Sequence, residues 1–252
     1  MTDCGEVNPC VIKVFLERGL PLIEIDCQKR RVVSMHYSRT ARYYYWLEVL
    51  SFGTALRSAR LAHLDRIQEQ GVVRRALLIG EGNGSFLIPF LRRYAEVNVT
   101  VVDESVEMLD VARARLGAAG LSADRVQFVQ ADVCQHRWPE RTYDLIVTHF
   151  FFDNFNDEAV AAMVASLAMA GTEDAQWLLA DFSIPERGWR KWRAKLWLRT
   201  LYAFFGRTAG VESNQLPEME QVLVASGFVP VAHDTRCGGL LSSTYFRKAL
   251  IF

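Results

Sequence analysis

Arg75-Ala-Leu-Leu-Ile-Gly80-Glu-Gly-Asn-Gly84-Ser85 decides the fold. A short apolar run that ends in glycines suits a strand buried on both faces of a parallel sheet. The residues after it, Ser85–Tyr94, read as a helix. Strand and helix then alternate along the chain: a strand over Asn98–Val102, a helix over Ser105–Ala119, and a strand over Val126–Gln130. After a polar linker come a strand over Tyr143–Thr148, a helix over Asp157–Ala170 and a strand over Gln176–Asp181. That rhythm predicts βαβ units with right-handed crossovers.

The two ends of the chain depart from the rhythm. Pro217–Ser226 reads as a helix stopped by Gly227. Phe228–Thr235 and Leu241–Lys248 flank Gly238-Gly239, which predicts an antiparallel hairpin. Upstream, Val11–Leu16 and Leu22–Asp26 around the turn Arg18-Gly-Leu-Pro21 predict a small hairpin, and 38–50 and 54–70 predict two helices. The class is therefore α/β: seven strands in a mostly parallel sheet with a C-terminal antiparallel hairpin, plus an N-terminal hairpin and helices. The expected division is a hairpin and helical cap over 1–70 and a core over 71–252, with a helical insertion at about 186–210.

Gly80, Gly82 and Gly84 follow the first core strand. They allow positive φ and let a ligand approach the backbone, and the helix beyond them offers free N–H groups. The second strand ends at Asp103, nineteen positions after Gly84, with Glu104 next to it. An acid there accepts both ribose hydroxyls of a nucleoside. A dinucleotide fingerprint would space its glycines G-x-G-x-x-G/A. Ser85 stands at the last of those positions, and the observed spacing is G-x-G-x-G.

Ala76–Gly84, Asp103, Gln130-Ala131-Asp132 and Tyr143-Asp-Leu-Ile-Val147 together resemble the successive motifs of class I S-adenosylmethionine (SAM)-dependent methyltransferases, over about residues 36–248. The resemblance implies a Rossmann-like sheet with SAM as cofactor. It implies that Gly80, Gly82 and Gly84 line the methionine moiety and that Asp103, beside Glu104, holds the ribose. Asp132 and the Val133 backbone would read the adenine. The family usually carries an acid where this chain has Leu78, so Glu81 becomes the candidate to supply that charge. Tyr37-Ser-Arg-Thr-Ala-Arg-Tyr-Tyr44-Tyr-Trp46 resembles the start of the ubiquinone and menaquinone biosynthesis methyltransferases, which makes Tyr37 and Tyr44 candidate cofactor contacts.

On the acceptor side stands Thr148-His149-Phe-Phe-Phe-Asp153-Asn154-Phe155. His149 is the candidate base, because histidine titrates near neutrality. Asp153 reads as a helix N-terminal acid. The phenylalanines favour an apolar or aromatic small-molecule acceptor. Trp189, Trp192, Leu196, Trp197, Leu201, Phe204 and Phe205 fall close to one stripe of an expected helix whose other face is basic. That helix is a candidate lid or a peripheral membrane contact through 189–205.

Composition bounds the rest. Lys plus Arg and Asp plus Glu each total 29, so no basic field exists for nucleic acid. Five cysteines at irregular spacing, without a C-x-x-C pair, argue against both a disulfide framework and a metal site. Reduced thiols and a first segment unlike a signal peptide lead us to expect a cytoplasmic protein. A second reading, a SAM-binding regulatory or scaffold subunit that catalyses nothing, draws on Leu78.

Overall fold

The computed structural model describes residues 11–13, 24–26, 54–69, 71–183 and 219–249. Tyr37, Tyr44, the expected helix over 38–50, the insertion expected at about 186–210 and its basic aromatic segment 189–205 lie outside them.

Strands β1 (Val11–Lys13) and β2 (Glu24–Asp26) pair antiparallel, with Val11 opposite Asp26. The expected helix over 54–70 is shorter than its periodicity suggested. It consists of α1 (Ala55–Arg60) followed by a single 3-10 turn, Leu64–Arg66. One side of α1 is apolar and docks Leu56 and Ala59 against Leu241, Phe150 and Phe182. This contact brings the cap segment to one edge of the sheet.

The core follows the predicted alternation. Strand β3 (Arg75–Ile79) leads to α2 (Leu87–Arg93), then β4 (Asn98–Asp103), α3 (Val106–Ala118) and β5 (Val126–Gln130). After these come β6 (Tyr143–His149), α4 (Asp157–Ala170), β7 (Gly171–Phe182), α5 (Met219–Ala225), β8 (Phe228–Arg236) and β9 (Leu241–Lys248). The sheet order is β5-β4-β3-β6-β7-β9-β8. The first five strands in that order are parallel, and β9 joins β7 and β8 antiparallel.

Local chemistry explains the elements. Ser105 caps α3 by accepting the Met108 N–H, and Asn156 caps α4 by accepting the Ala159 N–H. Helix α4 carries almost no polar side chain past its first turn and is buried on a broad front against the sheet. Its contacts there include Trp177, Phe228 and Phe246. The other sheet face packs on α2 and α3 through Phe86, Phe90, Leu109 and Leu116. Asp144 ties β6 to the start of β3 by accepting the Arg74 and Arg75 amides. Strand β7 starts earlier than the apolar pattern marks. Tyr143 pairs with Gly171 and Leu145 with Gln176, so the polar residues between Gly171 and Gln176 loop out at an irregularity in the ladder.

From β3 the chain winds outward to β4 and β5, then returns to β6 on the other side. This reversal opens a crevice at the carboxyl ends of β3 and β6, the place where open α/β sheets bind ligands.

Candidate active site at the carboxyl edge of the sheet

Gly80 and Gly82 adopt φ of +61° and +63°. A Cβ at Gly80 would overlap the Phe151 ring, and one at Gly82 would come within 3.0 Å of the Met108 methyl. The glycine at 80 therefore serves the protein's own packing, and the glycine at 82 keeps the loop backbone bare. Gly84 sits against Ala112 of α3, so loop and helix pack closely.

Asp103 closes the loop from β4. Its Oδ2 accepts the Gly82 N–H at 3.2 Å and its Oδ1 accepts the Ser105 N–H at 2.9 Å. Each oxygen keeps a lone pair, which is what two ribose hydroxyls require. Burial raises the Asp103 carboxyl above its usual range, and the two amides pull against that. Glu104 is exposed beside it, and its backbone carbonyl accepts from the Gln130 side chain. Asp132, after β5, accepts from the Cys134 amide and from the Gln135 side chain, both at 2.8 Å. It thus caps its own turn at the carboxyl end of β5, and Val133 beside it is buried.

Glu81 holds an unusual position. It is 8 % exposed, and its Oε1 accepts the Phe86 and Leu87 amides at 2.6 and 2.9 Å. The carboxylate of the loop itself takes two of the N–H groups at the start of α2 that sequence reasoning left free for a ligand. Burial pushes the Glu81 carboxyl up to about 7. The two amides and the Arg60 guanidinium favour its charged form but do not outweigh desolvation.

His149 ends β6 and is 4 % exposed. Its ring meets the Phe86 ring edge-on at 4.9 Å, and its Nδ1 is buried with no hydrogen-bond partner. Burial holds its pKa well below the usual 6.5, and Arg60 and His63 add to the effect. The imidazole is therefore neutral at pH 7. The next residue, Phe150, has φ +53°, a strained conformation for a bulky side chain. Its amide donates to the Ala180 carbonyl, and its ring lies between Phe182 at 5.3 Å and the Arg60 guanidinium at 4.9 Å. Phe151 packs on Phe152 and Phe155. Two aromatic clusters, Phe150 with Phe182 and Phe151 with Phe152 and Phe155, thus flank the end of the strand that carries His149.

Sequence reasoning missed two features. Asp181, at the carboxyl end of β7, is 5 % exposed and interacts with Asp153, which does stand in the first turn of a short 3-10 helix as the sequence suggested. Burial raises both carboxyls, and the two negative charges oppose each other. A polar residue closing an apolar strand at the carboxyl edge of a parallel sheet was the available signal. Arg60 is the second, and nothing local in the sequence marked it. Among the described residues no group of three or more His, Cys, Asp or Glu is placed to hold a metal. No helix among them is long and apolar enough to cross a membrane.

The chain is similar to known proteins in sequence and fold. A family described as a methyltransferase domain matches residues 76–171. A demethylmenaquinone methyltransferase of Deinococcus radiodurans is 30 % identical over 174 residues, 68 % of this chain and 68 % of that protein. A ubiquinone/menaquinone biosynthesis C-methyltransferase of Idiomarina loihiensis is 29 % identical over 213 residues, 82 % of this chain and 76 % of that protein. Among solved structures, the SAM-dependent methyltransferase SibL superposes with a TM-score of 0.58 at 21 % identity, and the match covers 84 % of this chain and 62 % of SibL.

Proposed function

The chain belongs to the class I SAM-dependent methyltransferases, and from that premise we propose that it methylates a ring carbon of a small, apolar, quinol-type acceptor. The observation that carries this reading is the gathering of Phe150, Phe151 and Phe182 near the strand end that holds a buried, neutral His149. Of the two relatives, one is a demethylmenaquinone methyltransferase and the other a ubiquinone/menaquinone biosynthesis C-methyltransferase, which supports the same acceptor class.

SAM supplies a methyl group on a sulfonium, already bonded to a good leaving group. What remains for the protein is to align the acceptor, keep water out and manage one proton. Asp103 and the Gly80–Gly84 loop are the proposed nucleoside and methionine contacts, with Asp132 and Val133 near the adenine end. The phenylalanines would hold the acceptor ring by apolar contact and edge-to-face stacking. A quinol hydroxyl ionises with difficulty at pH 7. Its deprotonation pushes electron density onto the neighbouring ring carbon and makes that carbon nucleophilic. His149, already neutral, is the proposed base that receives the hydroxyl proton. Once the ring carbon has taken the methyl and S-adenosylhomocysteine has left, that carbon gives up its own proton and the oxygen regains one. This restores the aromatic ring and releases one proton overall.

The test uses methyl-labelled SAM with three acceptors: a demethylated naphthoquinol, a simple catechol and a polyamine. The expected result is label on a ring carbon of the naphthoquinol, formed at least about tenfold faster than any product from the other two. Label on the amine, or on a catechol oxygen, would contradict the proposal.

A further inference from the structure

A bound SAM presents an α-carboxylate at its methionine end, and that charge needs a partner once water is excluded. One partner that the fold offers, the set of amides at the start of the helix after the glycine loop, is compromised here. Two of them, those of Phe86 and Leu87, already donate to Glu81. Glu81 moreover places an acid inside the loop, which would repel a second carboxylate when ionised. The region therefore needs a cation from elsewhere.

One cation is in place. Arg60 closes α1, which is docked on the carboxyl edge of the sheet through Leu56 and Ala59. Its guanidinium lies 4.9 Å from the centre of the Phe150 ring, one residue from His149 at the end of β6. Its charge also favours the ionised form of Glu81 and opposes protonation of His149. Arg60 is half-buried, while Arg57 on the same helix is exposed. The stack on Phe150 orients the guanidinium, whose planar fork of N–H donors matches a carboxylate through two parallel hydrogen bonds.

Building on the SAM reading of the crevice, we infer that Arg60 is the residue that receives the α-carboxylate of SAM. The segment that carries α1 then completes the cofactor site of the core.

Decarboxylated SAM separates this role from a structural one, because it differs from SAM only in lacking the carboxylate. Calorimetry on the full chain compares wild type with Arg60→Met and Arg60→Lys. In Arg60→Met, SAM should bind at least about tenfold more weakly, while decarboxylated SAM binds within about twofold of wild type. Arg60→Lys, which keeps the charge but loses the fork, should fall between for SAM and leave the analogue unchanged. Equal weakening of both ligands would show that Arg60 only supports the fold and would overturn the proposal. Unchanged SAM affinity in Arg60→Met would overturn it too. A wild-type protein that bound neither compound would remove the SAM reading itself, and the role of Arg60 with it.

Discussion

Replacing His149 with Phe should lower kcat for methyl transfer by roughly 10²- to 10⁴-fold, the usual worth of a positioned general base. The substitution keeps an aromatic ring of similar size against Phe86, so the apolar contact at 4.9 Å survives. It also removes a buried Nδ1 that has no partner, which spares the variant an unsatisfied polar atom. Folding should therefore hold, and SAM affinity should stay within a few-fold of wild type. The pH profile gives a second reading. Burial holds the His149 pKa well below 6.5, so its protonation cannot produce a fall in rate near 6.5. The wild-type rate should be level through that point as pH falls and drop only at more acid pH. A His149→Phe enzyme with wild-type kcat would rule out the base.

Glu81 should make the protein less stable as pH rises. Its carboxyl stands at about 7 in the fold against 4.5 for the free side chain. Below pH 4.5 it is protonated in both folded and unfolded chains, and the stabilisation is complete. Between 4.5 and 7 the unfolded chain releases the proton while the fold retains it, so stability falls with rising pH. The shift amounts to about 3 kcal/mol, and the group is buried, so solvent screening takes little from it. Asp103, Asp153 and Asp181 are raised in the same direction, and His149 acts oppositely in the acid range. The useful quantity is therefore the difference between wild type and Glu81→Gln. The Gln carbonyl can still accept the Phe86 and Leu87 amides but does not titrate. Urea unfolding from about pH 4 to 8 should show that difference falling by about 3 kcal/mol, centred between 4.5 and 7. Parallel curves would mean that Glu81 is not a buried, proton-holding cap.

Most of the fold was legible from residues 75–183. Ala76–Ile79 is an apolar run too short for a core helix, bounded by glycines on one side, which leaves a strand buried on both faces. Asp157–Ala170 announced itself as a nearly continuous apolar stretch of helical length, to which the structure adds the Asn156 cap. The boundaries slipped where packing overrides pattern. The 54–70 helix breaks after Arg60 because its apolar face docks for less than two turns before the chain turns toward β3. Part of the site was legible as well: the glycine loop and Asp103 meet as their spacing implied, with Gly82 and Asp103 hydrogen-bonded. The role of Glu81 was not, because capping depends on where α2 begins, and the sequence places that only to within a turn. Arg60 was invisible for a different reason. It owes its position to contacts with distant parts of the chain, its own with Phe150 and that of α1 with Leu241, and no local pattern encodes such contacts.

The carboxyl ends of β3 and β6 should take SAM and not a dinucleotide. The direct measurement is a thermal-shift titration of the wild-type chain with SAM, S-adenosylhomocysteine and NAD. A ligand at about a hundredfold its Kd adds about 2.7 kcal/mol, worth roughly 5–10 °C in a chain of this length. SAM and S-adenosylhomocysteine should each raise the midpoint by that order, and NAD should leave it in place. A midpoint raised by NAD and unmoved by SAM would contradict the account.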